Sequence, residues 1–158
     1  MNAPFKLFLL LTIFSFSLLS CDKNMSKDAP LPFVKTPSVY IGSQNAVLYA
    51  LDPQTGEKRW EFNVGGNIQG SPCLYNDWVF VISELGQLFK LNAYTGEKLY
   101  VFGFTSQILS TPMVKDGFLY IGAGDGNLYC IDINANTIKW TYTTGGSVHS
   151  SPTVYNNL

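Results

Sequence analysis

The stretch Ala50-Leu51-Asp52-Pro53-Gln54-Thr55-Gly56-Glu57-Lys58-Arg59-Trp60 decides the fold, because related stretches follow it 40 and 80 residues later. These copies occupy residues 90–100 and 130–140, in register and without a gap. Outward from them, a Ser-Pro or Thr-Pro dipeptide recurs with the same spacing, at residues 71–72, 111–112 and 151–152. A fixed period of about 40–45 residues made of short strands is typical of the blades of a β-propeller.

The middle unit, residues 71–110, predicts four antiparallel strands. Its apolar runs are rich in aromatic and β-branched side chains, which suit a pleated, buried surface. Short segments with Asn, Asp and Gly separate these runs, and such residues are typical of turns. The predicted strands are 72–75, 78–82, 87–91 and 98–104. No stretch after residue 37 has a sustained helical period, so the sequence predicts an all-β fold.

The turn chemistry recurs at one place in every unit. The third turn opens with Asp or Asn, at Asp52, Asn92 and Asp132. The side-chain oxygen of such a residue accepts hydrogen bonds from backbone N–H groups two residues on. Gly56 and Gly96 come later in the same turns, where we expect a positive φ. The third unit has Asn136 there, and asparagine tolerates that conformation better than most residues.

The phasing of the repeats predicts an incomplete ring of blades. We place the blade units near residues 38–70, 71–110 and 111–150, within a repeat domain of residues 38–158. The first unit has no leading strand in this phasing, and residues 151–155 are expected to pair with it. Three blades are fewer than the roughly 4–8 of typical propellers. The sequence therefore predicts a propeller fragment, or a chain that assembles with others, whose open strand edges promote self-association.

Residues 1–20 are a predicted export signal. Lys6 precedes the apolar stretch 7–19, whose length fits the core of a signal peptide and is too short to span a membrane. The stretch ends in Leu18-Leu19-Ser20-Cys21, which resembles the lipobox of bacterial lipoproteins. The resemblance implies that Cys21 carries acyl chains that anchor the protein in a membrane. The alternative is a secretory peptide that is cut nearby without lipidation.

Residues 21–37 are the predicted lipidated N terminus and a flexible tether, because Lys, Asp, Asn and Pro dominate there. This arrangement predicts a lipid-anchored protein of the bacterial cell envelope. We favour the outer membrane, with the propeller in the periplasm or at the cell surface.

Composition and residue counts limit the functions that this chain can have. The net charge is −1 and 13% of the residues are charged, so no basic face for nucleic acid is expected. Cys73 and Cys130 lie on different predicted strands of different units, which favours free thiols over a disulfide. His149 is the only histidine, which excludes any metal site with two histidine ligands. Its position before a leading strand predicts a loop on one face of the disc.

The repeat resembles a known family. Ala50, Asp52, Gly56 and Trp60 stand at the spacing of the Ala-x-Asp-x-x-x-Gly-Lys-x-x-Trp signature of pyrroloquinoline-quinone (PQQ)-type propeller repeats. The small-small-Pro start of each inner strand also matches that family. The resemblance covers about residues 38–155, which is all of the chain outside the export signal and the tether.

The resemblance implies that the aromatic residue of each last strand docks onto the next blade. The docking residues would be Trp60, Tyr100 and Trp140. The size of these side chains also favours a docking role, since a large ring is buried only when another element packs over it. The alternative is an aromatic box that stacks on a ligand. Under the docking hypothesis, Trp60→Ala or Trp140→Ala costs about 3–5 kcal/mol of stability.

Some relatives in this family are enzymes that hold PQQ and Ca²⁺ beside a carboxylate and often a pair of adjacent cysteines. Cys73 and Cys130 are far from adjacent here, and the recurring acids Asp52 and Asp132 already have a role in turns. Calcium needs about 6–8 converging oxygens, and no run of acidic residues supplies them. The sequence therefore predicts no catalytic residue, cofactor site or metal site in this chain.

The leading functional hypothesis is a non-enzymatic, lipid-anchored scaffold that binds an envelope protein, as the resemblance to BamB-like envelope lipoproteins implies. Such a scaffold serves outer-membrane protein assembly. Two alternatives remain open. One is a fragment of a quinoprotein dehydrogenase that depends on PQQ and Ca²⁺, and the other is a surface module that binds carbohydrate or senses a ligand near His149.

Overall fold

The computed structural model describes residues 35–155, which form eleven β-strands in three antiparallel sheets. The predicted signal peptide 1–20, Cys21 and most of the predicted tether 21–37 lie outside these residues. No helix occurs within residues 35–155, so none there is long and apolar enough to cross a membrane. The prediction of an all-β fold is confirmed.

In each sheet, strands that are consecutive in the chain are neighbours. The first sheet contains β1 (Val39–Gly42), β2 (Val47–Leu51) and β3 (Lys58–Asn63). The second contains β4 (Cys73–Tyr75), β5 (Trp78–Ile82), β6 (Gln87–Asn92) and β7 (Lys98–Gly103). The third contains β8 (Met113–Lys115), β9 (Phe118–Gly122), β10 (Asn127–Asp132) and β11 (Thr137–Thr143). Two four-stranded blades and one three-stranded sheet thus follow the repeat in order.

The register of the sheets repeats as faithfully as the sequence does. A β-bulge interrupts the pairing of the last two strands at one place in each sheet, after Ala50, Lys90 and Cys130. The residue paired with each of these is the predicted docking aromatic, Trp60, Tyr100 or Trp140. Since a bulge bends a strand and re-aims its side chains, the sequence places each aromatic ring at a bend.

The structure corrects the prediction of a closing strand at residues 151–155. Residues 151–155 form no strand, and the first sheet stops at β1. In the complete sheets a leading strand pairs with the strand that follows it after a short turn, as Tyr75 pairs with Trp78. No such following strand exists for residues 151–155 within the described part of the chain, and they do not pair with β1 instead. The three sheets therefore form an open arrangement.

Apolar side chains fill the two spaces between neighbouring sheets. Alternate residues of a strand point to opposite faces, so each sheet can pack on both sides. The buried cluster between the first and second sheets consists of Leu48, Val64, Ile68, Val79, Val81, Phe89 and Leu91. The cluster between the second and third consists of Phe80, Ile82, Leu88, Ile108, Leu119, Ile121, Ala123, Ile131 and Ile133. The core therefore lies between sheets.

Candidate functional site

Trp60 joins the first sheet to the second through its indole. The Nε1–H group donates a hydrogen bond of 3.1 Å to the Ala93 carbonyl, which also accepts one of 2.6 Å from the Tyr40 hydroxyl. The ring lies directly over Gly96, where an added Cβ would stand 2.7 Å from Cε3 of Trp60. Gly96 therefore serves two needs at once, a positive φ of 73° and room for the indole.

Tyr100 makes the corresponding contact one sheet further on. Its hydroxyl donates a hydrogen bond of 3.3 Å to the carbonyl of Asn136, the residue that stands where Gly96 stands in the second sheet. Trp140 is different, because no sheet within residues 35–155 covers its outer face. Its ring packs beside Tyr120 at a centroid distance of 5.9 Å, and 44% of the residue is exposed.

The third turn of each sheet has the same internal hydrogen bonds. The side-chain oxygen of the first turn residue accepts the N–H groups two and three residues on. The distances are 2.8 and 3.0 Å at Asp52, 2.9 and 3.1 Å at Asn92, and 2.9 Å twice at Asp132. A positive φ follows in each turn, at Gly56 (74°), Gly96 (73°) and Asn136 (55°). The side chains of Asp52, Asn92 and Asp132 are thus already used in hydrogen bonds to the backbone of their own turns.

Asp52 has a second partner. Arg59 Nη2 lies 2.6 Å from its other carboxylate oxygen. This hydrogen bond, with those from the N–H groups of Gln54 and Thr55, lowers the pKa of Asp52 from 3.8 to about 2. The same guanidinium donates through Nη1 to the Pro37 carbonyl and, at 2.9 Å, to the Ser38 hydroxyl. Arg59 therefore fixes the segment that leads into β1.

A proline in the third turn of the first sheet explains the contact that Arg59 makes. In the second sheet, the Ala93 N–H donates 2.9 Å to the Asp77 carbonyl and so ties the third turn to the first. The third sheet has the same bond, from Ile133 to Gly117, at 3.1 Å. The first sheet has Pro53 at that position, and proline has no N–H to donate. The Arg59 side chain supplies the missing donor to the Pro37 carbonyl.

Lys90 is a buried cation that sequence reasoning missed. It lies on β6 with 9% of its surface exposed, and its ammonium donates 2.8 Å to the Ile133 carbonyl of the third sheet. The nitrogen also stands 3.6 Å from the centre of the Trp78 ring, a cation–π contact. Burial lowers the pKa of this lysine. The available signal was a lysine at the position that Ala50 and Cys130 occupy in the other units.

The recurring Ser-Pro and Thr-Pro dipeptides link one unit to the next through hydrogen bonds. The Ser71 N–H donates 3.0 Å to the Thr111 hydroxyl, and the Thr111 N–H donates 2.9 Å to the Ser151 hydroxyl. Each hydroxyl thus accepts a bond from the preceding unit. The backbones approach closely here, since a Cβ on Gly70 would lie 2.8 Å from the Ser110 carbonyl oxygen. Small residues at these positions are therefore required by the close packing of neighbouring units.

One end of the sheets carries the connecting loops, residues 43–46, 64–70, 83–86, 104–110, 123–126 and 144–150, which we call the loop face. Backbone bonds tie neighbouring loops together, such as Glu84 N–H to the Asn67 carbonyl at 2.8 Å. His149 is exposed on this face, as its sequence position predicted. Leu85 projects from it as well, with 62% of its surface exposed. The third turns lie at the opposite end.

Neither Cys73 nor Cys130 forms a disulfide. Cys130 is buried and Cys73 is half-buried, and burial raises the pKa of both. Among residues 35–155, no three side chains of His, Cys, Asp or Glu come together in a way that could hold a metal ion.

Antiparallel sheets that stack face to face, with an aromatic residue of one last strand packed on the next sheet, define a β-propeller of the PQQ-repeat class. The sequence matches the family described as Outer membrane protein assembly factor BamB over residues 18–110 and 102–158. The chain belongs to this family. The resemblance inferred from the repeat is thereby confirmed.

Solved structures agree on the fold. BamB from Moraxella catarrhalis is 25% identical with a TM-score of 0.61, and the match covers 67% of this chain and 33% of that one. A europium-containing methanol dehydrogenase is 21% identical with a TM-score of 0.59, covering 68% and 23%. Quinohemoprotein alcohol dehydrogenase from Comamonas testosteroni is 20% identical with a TM-score of 0.59, covering 66% and 19%.

The chain therefore spans about a third of the BamB structure and about a fifth of these enzymes. The likeness to the two enzymes is a likeness of fold alone. Comparison with curated protein sequences gives no significant match.

Proposed function

We propose that the protein is a lipid-anchored β-propeller scaffold of the bacterial cell envelope, which holds a protein partner during outer-membrane protein assembly. The observation that carries this proposal is the family match, which spans residues 18–158 and so includes the whole repeat region. The lipobox-like sequence ending in Cys21 supplies the proposed anchor, and the outer membrane is the proposed location. Trp60, Tyr100 and Trp140 have the proposed structural role of docking one sheet to the next.

The loop face is the proposed site for the partner. At the opposite end, the Asx turns at Asp52, Asn92 and Asp132 use their polar side chains internally. The loop face instead exposes Leu85 and His149. An exposed leucine among short loops suits an apolar side chain of a partner that binds in an extended conformation.

The partner site can be tested by photocrosslinking in cells of the source organism. A photoreactive phenylalanine analogue replaces Leu85 on the loop face, and the matched control places it at exposed Gln54 in the turn at the opposite end. We expect an envelope protein, one that belongs to the machinery for assembling outer-membrane proteins, to be captured from position 85 and not from position 54. Equal capture from both positions, or none from either, would refute the loop face as the partner site.

The anchor needs its own test, because the loop face and Cys21 are independent. Labelling with an alkyne-tagged fatty acid is expected to mark the wild-type chain and to leave Cys21→Ser unlabelled. Membrane fractions should retain the wild type and release the variant. A label that persists in Cys21→Ser would contradict the proposed lipidation, whatever the crosslinking shows.

A second candidate is part of a quinoprotein dehydrogenase, favoured by the shared fold of the methanol and alcohol dehydrogenases. It predicts that the purified chain binds PQQ in the presence of Ca²⁺. Quenching of the tryptophan fluorescence by PQQ, reversed by a chelator, would support this candidate. No change in fluorescence at saturating PQQ and Ca²⁺ would leave the scaffold as the better account.

A further inference from the structure

The last strand of each sheet, β3, β7 or β11, has an outer edge to which no other strand within residues 35–155 is paired. The unpaired N–H and C=O groups of such an edge are a template for a strand of another chain. Neighbouring sheets pack through their faces and not through this edge. A further sheet packed before or after these three would therefore leave the outer edge of β7 free.

Charged side chains protect the edges of β3 and β11, since a charge on an edge strand opposes pairing with another chain. These side chains are Lys58, Arg59, Glu61 and Lys139. In β7 the only charged residue is Lys98 at its start, and the sequence continues as Leu-Tyr-Val-Phe-Gly-Phe through residue 104. This run also lacks proline. The outer edge of β7 therefore lacks the protection that the other two edges have.

Two exposed apolar residues of β7 stand where the other sheets have charged or polar ones. Leu99 and Val101 are 44% and 41% exposed. The residues equivalent to Leu99 in the other sheets are basic, and those equivalent to Val101 are a glutamate and a threonine. Neither Leu99 nor Val101 belongs to the apolar clusters between the sheets. The packing of the sheets thus gives no reason for an apolar residue at either position.

Lys98 lacks the ion-pair partner that its equivalent has. In β3, Lys58 Nζ donates 2.8 Å to the carboxylate of Glu61. Val101 replaces that glutamate in β7, and Lys98 forms no ion pair within residues 35–155. A carboxylate on a strand docked beside β7 would take the place of the missing glutamate.

We propose that an extended segment of a partner protein docks on the outer edge of β7 and adds a strand to the second sheet. Backbone hydrogen bonds hold such a strand, and its side chains provide the specificity. It runs antiparallel to β7, as do all the strand pairs of this sheet. It carries apolar residues beside Leu99 and Val101 and an acidic residue near its C-terminal end, opposite Lys98. This site is separate from the loop face and does not rest on the proposed envelope role.

Charge favours such a partner over a second copy of this chain. If two β7 strands paired in parallel and in register, Lys98 would lie opposite the same lysine, and like charges directly opposite are destabilising. If they paired antiparallel about Val101, the residue opposite Lys98 would be Phe104, which has no charge. Neither arrangement gives Lys98 a carboxylate.

Peptide binding tests the proposed site. The probe is a short fluorescein-labelled peptide that alternates threonine and valine, ends in glutamate and has an amidated C terminus. Its binding to the full-length chain in detergent is followed by fluorescence anisotropy, and we expect it to saturate. Two control peptides carry backbone N-methyl groups, one on the valines and the other on the threonines. Because an added strand pairs through one of its edges, one of these peptides should bind about tenfold more weakly or worse, and the other should bind nearly as well as the probe.

Substitutions in β7 locate the binding. Leu99→Lys combined with Val101→Glu introduces residues that Lys139 and Glu61 already place at these positions, so we expect the variant to fold. It should bind the probe about tenfold more weakly or worse. The matched control is Leu85→Lys, which removes an exposed leucine from the loop face and should leave binding unchanged.

A charge reversal tests the role of Lys98. A probe that ends in lysine instead of glutamate should bind the wild-type chain about threefold more weakly. Lys98→Glu should restore the binding of that probe.

Three results would overturn the proposal. The first is the absence of saturable binding, and the second is equal binding of all three peptides. The third is equal affinity of the wild type and the Leu99→Lys, Val101→Glu variant for the probe. If the wild type instead self-associates in sedimentation without binding the probe, and this variant does not, the edge belongs to a second copy and the partner strand is refuted.

Discussion

Trp60 and Trp140 stand at the same place in the repeat, yet within residues 35–155 only Trp60 has a sheet to pack against. Trp60 donates its indole N–H to the Ala93 carbonyl and covers Gly96, while Trp140 packs beside Tyr120 of its own sheet and stays 44% exposed. In a protein built of stacked repeats, each unit contributes an interface only through its neighbour. Within the described residues, the same repeat position is therefore part of a core at Trp60 and partly exposed at Trp140.

The sharpest way to test this comparison is to remove each indole. We expect Trp60→Ala to lower the free energy of unfolding by about 3–5 kcal/mol, since it empties a packed contact and removes a hydrogen bond. Trp140→Ala should cost about 1 kcal/mol in the monomer, because much of its ring is already in water. The sequence alone predicts the same large loss for both. Urea denaturation at low protein concentration measures the two values.

Equal losses for the two variants in the monomer would show that the contacts of Trp60 contribute no more than those of Trp140.

A matched pair of glycines gives the next largest effect. Gly96→Ala and Gly56→Ala both place a Cβ on a residue with positive φ, which costs about 1 kcal/mol. At Gly96 the new Cβ would also lie 2.7 Å from Trp60, whereas at Gly56 it meets nothing within 4 Å. We therefore expect a total loss of about 2–4 kcal/mol at Gly96 and about 1 kcal/mol at Gly56.

Thermal unfolding of the two glycine variants in parallel checks this difference. Combining Gly96→Ala with Trp60→Ala should recover part of the loss, because the clash needs the indole. Losses that simply add would argue against direct contact between the two positions.

The repeat, the turns and the all-β fold could be predicted because their signals are local. An Asp or Asn side chain bonds to N–H groups two and three residues on, as at Asp52 and Asn92. A positive φ follows at Gly56 and Gly96 within the same turn. Such interactions depend on a few neighbouring residues, so a short sequence pattern specifies them. The exposed position of His149 on the loop face follows from the same strand counting.

Contacts between sheets were harder to predict, because the partners lie about 40 residues apart and differ between units. Nothing in the sequence near Lys90 indicates that its ammonium meets the carbonyl of Ile133. The role of Arg59 is similar, since it depends on Pro53 lacking an N–H that the other units have. Such compensations become visible only when the units are superposed and their differences compared.

The structure does not test the prediction that the first unit lacks a leading strand. Residues 31–34, which precede β1, lie outside the described part of the chain.

Substitutions of Lys90 should have a smaller effect on stability. This lysine distinguishes the second sheet from its neighbours, which have Ala50 and Cys130 at the same position. Lys90→Met keeps most of the volume and removes the buried charge, so we expect stability within about 1 kcal/mol of the wild type. Lys90→Ala should lose about 2 kcal/mol, because it leaves a cavity between the sheets. Chemical denaturation at neutral pH measures both. A larger loss in the Met variant than in the Ala variant would show that the charge matters more than the packing.

The same lysine predicts a dependence on alkaline pH. Its pKa is below 10.5 in the folded chain, so between the folded pKa and 10.5 the unfolded state binds more protons. Stability should therefore rise with pH across that window, and Lys90→Met should remove the rise. Parallel pH profiles for the two proteins would contradict this account of Lys90.

The smallest effect concerns Asp52, which differs from its equivalent Asn92 by its ion pair with Arg59. The folded pKa of Asp52 is about 2 and its ordinary value is 3.8. Its contribution to stability is therefore complete above about pH 4 and is lost as the pH falls from 4 toward 2. Asp52→Asn keeps the turn, as Asn92 shows, but removes the charge that Arg59 faces. We expect the melting temperature of the variant to fall less steeply than that of the wild type between pH 4 and pH 2. Melting curves that stay parallel over this range would mean that Arg59 stabilises the first sheet through the Pro37 carbonyl and not through Asp52.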